Sequence, residues 1–136
     1  MRVVRERLGG RRPAALDVEI AGVFQLAGLR HELGRLARER GFAPDREAGL
    51  MIAVDEVVGQ ALDRDAGPVR VRWCSGHDAV RIRIDANGGL PWASPGTDTG
   101  GGLRVAAELA QVTVLHSTLG TTVRLGFPVD GGGGAA

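Results

Sequence analysis

The chain has 136 residues, 43% of them apolar and 24% charged, with a formal net charge of +1 at neutral pH. That length suits one domain with a proper core, and so even a charge balance gives no general attraction to nucleic acid or anionic membrane. All 17 basic residues are arginine, which excludes a lysine-dependent P-loop, and Cys74 is the one cysteine, which excludes an internal disulfide.

The opening residues 1–14, "MRVVRERLGGRRPA", are Arg-rich and broken by Gly9, Gly10 and Pro13, and read as a flexible arm. "LDVEIA" (16–21) alternates polar and apolar residues and predicts a short strand. "FQLAGLRHELGRLARER" (24–40) sets Leu26, Leu29, Leu33 and Leu36 at helical spacing, with Gly41 as its stop. "PDREAGLMIAVDEVVGQALDR" (44–64) opens on Pro44 with Asp45 and Glu47, residues that suit a helix N-terminus. Ile52, Val54, Val57, Val58, Ala61 and Leu62 make that helix apolar over much of its circumference, leaving a polar stripe of Glu56, Gln60 and Asp63.

"VRVRWC" (69–74) and "AVRIRID" (79–85) alternate strictly around "SGHD", the pattern of an antiparallel hairpin. A Gly/Pro/Ser/Thr stretch between Asn87 and Gly102 leads into "LRVAAELAQ" (103–111), a short helix. "VTVLHS" and "TTVRLGF" then form a second hairpin around Leu119 and Gly120, and 130–136 reads as a disordered Gly-rich tail. The order β-α-α-β-β-α-β-β over 15–129 predicts one α+β domain, a two-layer sandwich whose mostly antiparallel sheet is covered on one face by three helices. No signal-peptide segment or membrane-length apolar run interrupts this order, so a soluble cytoplasmic protein is expected.

Several segments have chemical potential and a plainer alternative. "TDTGGGLRVAAELA" leads glycines into a helix, an arrangement that can hold phosphate, or else a loop that happens to precede a helix. "DANGGLP" would let a ligand approach the backbone, or is simply a turn, and the threonines of "LGTTVRLGF" could touch phosphate or serve as strand formers. Glu56 has the chemistry of a general base, though most helix glutamates are solvated. His31, His77 and His116 lack ligand spacing with one another or with Cys74, which argues against a zinc-type site. Trp73 fits a strand core and Trp92 a loop anchor. Arg70, Arg72, Arg81 and Arg83 form a basic stripe, read as a solvated sheet face first and a partner surface second. No aromatic interleaving supports RNA binding.

Taken in order, these pieces resemble the Bergerat ATP-binding fold of histidine kinases, gyrase-type ATPases and Hsp90. "LRHELGRLARERGFAPDREAGLMIAVDEVVGQAL" is most similar to the small anti-sigma factors of that class that double as serine protein kinases, and the resemblance covers about residues 16–128. It implies ATP and magnesium as cofactors, a sigma factor and a STAS-type anti-anti-sigma protein as partners, and a homodimer, with no direct contact to nucleic acid or membrane. By the same resemblance Glu56 takes the general-base position and Gln60 stands where the family has its magnesium-binding asparagine. Gly100, Gly101, Gly102 and Leu103 match the glycine box that grips phosphate, and Thr121 and Thr122 the last box. The family's adenine-binding aspartate precedes a glycine string: strand parity assigns its place to Ala86, followed by Gly88 and Gly89, whereas a bulge at the strand end would bring Asp85 into it. Gln60 is one methylene longer than asparagine, and magnesium demands near-ideal octahedral geometry. The reading that follows is an anti-sigma factor-like regulator with weakened or lost ATP binding and kinase activity. Its alternative is an active ATP- and magnesium-dependent serine kinase.

Overall fold

The computed structural model describes residues 2–3, 15–63, 67–87 and 101–129. The rest of the arm, the tail and the central loop (4–14, 88–100 and 130–136) therefore lie outside the described residues, as do Gly88, Gly89, Gly100 and Trp92. The strands are β1 (Arg2–Val3), β2 (Leu16–Ile20), β3 (Val69–Ser75), β4 (Ala79–Asn87), β5 (Gln111–Ser117) and β6 (Gly120–Pro128). The helices are α1 (Leu26–Glu39), entered through a 3-10 turn at Val23–Gln25, α2 (Pro44–Asp63) and α3 (Gly101–Leu109). All strand pairings are antiparallel, in the order β1-β2-β3-β4-β6-β5. Arg2 and Val3, inside the segment read as an arm, pair with Glu19 and Val18 at the sheet edge.

Strand alternation separates two faces. Val18, Val71, Ile82, Ile84, Val123 and Leu125 point into a core shared with Leu29 and Leu33 of α1, Leu50, Val54 and Val57 of α2, and Leu103 and Ala106 of α3. The two-layer α+β sandwich expected from the periodicities is the one observed. Trp73 is buried in this core. Among the described residues no helix is long and apolar enough to cross a membrane.

Local chemistry sets the helix ends. Gly41 adopts φ +94°, while Phe42 N–H donates to the Ala37 carbonyl (2.9 Å) and Gly41 N–H to that of Arg38 (3.0 Å). That is a Schellman closure, with glycine at the left-handed position and buried Phe42 sealing it. The helices α1 and α2 then run antiparallel, as the pairs Arg38–Glu47 (2.8 Å) and Arg30–Asp55 (2.7 Å) show.

Two expectations shift in detail. Ile52 is exposed rather than buried, because the core stripe of α2 is Leu50, Ala53, Val54, Val57, Val58 and Ala61, and position 52 falls outside it. Helix α3 begins at Gly101, two residues before the periodic segment, and ends at Leu109, so that Gln111 already belongs to β5.

Candidate functional site

The start of α2 is tied to the sheet. At its start, the Arg46 guanidinium stacks over Phe42 (4.9 Å to the ring centroid) and donates to the carbonyl of Pro128, at the end of β6. Beyond its C-terminus, Gly67 lies beside the Asn87 side chain at the end of β4. Asn87 pairs with Gly120, the first residue of β6, so α2 runs from the Pro128 end of the sheet to the Gly120 end. The Glu56–Gln60 turn therefore belongs to the end of the sheet that carries Ala86 and Thr121.

Helix α3 approaches the same place. A Cβ on Gly49 would stand 3.5 Å from Leu109 Cδ2, so the end of α3 packs against the early part of α2. Only Pro44–Ala48 lies on the other side of Gly49, so α3, which packs alongside α2, extends toward Glu56. Nine residues at a rise of about 1.5 Å cover about 12 Å, which carries Gly101 toward the Gly120 end. Positions 49, 53, 56 and 60 follow helical spacing, so Glu56 and Gln60 continue the α3-facing stripe of α2. Both are half-buried, whereas Asp63 is exposed and does not share their setting.

Beneath them the sheet presents Ala86 (4% exposed) opposite Thr121 (1% exposed). His116 pairs with Thr121 across the β5–β6 hairpin, and its Nδ1 lies 3.2 Å from Thr121 Oγ1. Sequence reasoning missed His116 as part of this site. The signal was present, since a two-residue turn at Thr118–Leu119 pairs Ser117 with Gly120 and hence His116 with Thr121.

Asp85 and Thr122 belong elsewhere. They pair with each other on the opposite face, where Thr122 Oγ1 donates to Asp85 Oδ1 at 2.5 Å. Asp85 also accepts from Arg72 (2.8 Å) and Arg83 (3.1 Å). Burial pushes the Asp85 carboxyl up, and the hydrogen bonds from Thr122, Arg72 and Arg83 together outweigh it, leaving its pKa below the ordinary value. The nine pairs from Ala79–Pro128 to Asn87–Gly120 are unbroken, so no bulge turns Asp85 toward the helices. Of the positions drawn together by sequence, Ala86, Thr121 and Leu103 are buried on the helix-covered face, and Glu56 and Gln60 are half-buried on α2. Asp85 and Thr122 are not among them.

The basic stripe also needs correction. Arg72 is 8% exposed rather than solvated, because Asp85 draws its guanidinium down onto the sheet, and its buried Nε has no hydrogen-bond partner among the described residues. At the far end of the sheet a small polar hollow is lined by Arg40, Ser75, Gly76 and His77. There Arg40 donates to Ser75 Oγ (3.0 Å) and to the carbonyls of Gly76 (2.9 Å) and His77 (3.1 Å), pinning the β3–β4 turn to the end of α1. Those bonds give Arg40 a tethering role. Among the described residues, no three His, Cys, Asp or Glu side chains cluster as a metal-binding group. No family model matches the chain, and no curated protein matches it.

Proposed function

We propose that this protein is an anti-sigma factor-like regulator of the Bergerat class. It acts by binding a sigma factor, a STAS-type anti-anti-sigma protein, or both, with ATP binding and kinase activity weakened or lost. The observation that carries this reading is the pair of neighbours on β4. Ala86 lies buried on the helix-covered face, while the carboxylate of Asp85 is tied to arginines on the other face.

ATP and magnesium fit these residues poorly. Where an adenine amino group would need an acceptor, Ala86 offers a methyl group, and Gln60 sets its amide oxygen one methylene farther from the helix than asparagine would. Magnesium tolerates little deviation from octahedral geometry, and phosphoryl transfer depends almost wholly on positioning. Glu56 keeps a carboxylate at the general-base position without the partners that would make use of it. What remains is a folded helix and sheet layer suited to recognition by contact.

Calorimetry with ATP, with and without magnesium, tests the nucleotide half of the proposal. The expected result is no binding at millimolar nucleotide for the natural chain, and measurable binding for the Gln60→Asn/Ala86→Asp double variant. Tight, magnesium-dependent binding by the natural chain would instead favour a working serine kinase with Glu56 as base. Affinity capture against the sigma factors and STAS-type proteins of its own genome tests the partner half, and failure to retain any of them would refute it.

A further inference from the structure

The face of the sheet turned away from the helices holds an excess of positive charge. Alternation places Arg70, Arg72, Arg81, Arg83 and Arg124 on it, against Asp17, Glu19 and Asp85. Register sets Arg72, Arg83 and Arg124 directly opposite one another on β3, β4 and β6. Like charges facing across strands are destabilising, so this row is unfavourable in the free chain unless anions answer it.

Two of these carboxylates are already committed to arginines. Asp17 holds Arg70 through two hydrogen bonds (2.8 and 2.7 Å), and Asp85 serves both Arg72 and Arg83. Arg81 and Arg124, both exposed, make no salt bridge to a described residue. Arg83 keeps 45% of its side chain exposed. The exposed guanidinium groups of this face, Arg81, Arg83 and Arg124, thus lie on β4 and β6, beside a carboxylate that two arginines already share.

We infer that the outer face of β4 and β6 docks an acidic segment of a partner protein, whose carboxylates pair with Arg81, Arg83 and Arg124. Guanidinium forks match carboxylates bidentately, which suits discrete acidic side chains. Asp85, in the midst of the arginines, repels a continuous phosphate backbone, and the outward positions of β3, β4 and β6 offer no aromatic ring for base stacking. A second copy of the chain meeting this face with its own would bring arginine against arginine. No residue near Glu56 and Gln60 takes part, so this face and the nucleotide reading are tested separately.

The experiment is fluorescence anisotropy of a fluorescein-labelled oligoglutamate peptide with the full chain at low salt. Three proteins are compared: the natural chain, Arg83→Ala/Arg124→Ala, and Arg30→Ala/Arg35→Ala, which removes the same charge from α1. Circular dichroism first establishes that all three are folded. The natural chain is expected to bind, and the outer-face variant to bind about tenfold more weakly, as loss of charge-assisted pairs at two arginines requires. The α1 variant is expected to stay within about twofold of the natural chain, a difference well under 1 kcal/mol. No binding by the natural chain, equal losses in both variants, or tighter binding of a single-stranded oligonucleotide of matched charge would each overturn the assignment.

Discussion

Asp85 accepts hydrogen bonds from Thr122, Arg72 and Arg83 on the outer face, and its titration should be visible in stability. Its folded-state pKa lies below the ordinary value, with burial opposing and Thr122, Arg72 and Arg83 prevailing. A depressed carboxylate contributes stability that is present above its unfolded pKa and is lost as pH falls through the folded one. The loss should therefore begin near pH 4, about the unfolded value for aspartate, and deepen toward lower pH. Asp85→Asn is expected to lower stability at neutral pH by about 2 kcal/mol, since it weakens the acceptor that a buried guanidinium depends on. The variant should also show a shallower acid limb. Urea denaturation across pH 2.5 to 7, values chosen to span about the whole carboxylate range, checks both; an unchanged acid limb would contradict the assignment.

At the scale of the element, α1 and α2 are long helices that contain glycines where no close approach requires them. A Cβ at Gly28 or Gly59 would meet nothing within 4 Å. Alanine loses less backbone freedom than glycine on entering a helix, so Gly28→Ala and Gly59→Ala are each expected to stabilise the protein by about 0.5–1 kcal/mol. Urea midpoints read the gain, and a loss at either position would show that its open space is needed. The helices were legible in the sequence through their leucine spacing and through Gly41 and Pro44, whose backbone preferences are local. Ile52 was not, because an apolar residue just outside the stripe carries the same letter as one inside it. The start of α3 was not either, because Gly101 and Gly102 have low helix propensity.

For the whole molecule, one core joins both layers, with Leu29, Leu50 and Leu103 from three helices meeting Trp73 from the sheet. Unfolding should accordingly be a single cooperative event. With Trp92→Phe leaving Trp73 as the one fluorophore of its kind, its fluorescence and far-ultraviolet dichroism are expected to give coincident urea transitions. Separate midpoints would mean that the helical layer melts from the sheet. The sandwich itself was legible at this scale, since alternation in two hairpins and periodicity in three helices admit few arrangements. The candidate site was legible only in part. Parity correctly put Ala86 and Asp85 on different faces, and the Thr118–Leu119 turn carried the pairing of His116 with Thr121, but the burial of Arg72 depends on cross-strand neighbours that no single segment displays.

The unbroken pairing of β4 with β6 has a consequence for how this protein could change. Moving the Asp85 carboxylate to the other side would require inserting or deleting a residue, and every side chain beyond that point would reverse with it. Gly120, at φ +149°, also closes against the Ala86 carbonyl, so the hairpin has little slack to absorb such a slip. The accessible route is substitution at position 86 itself, which places a new charge in a nearly closed space under α2. Any gain in recognition of a polar ligand there would be set against a loss of stability in the empty protein, and the ligand's own binding would have to restore it.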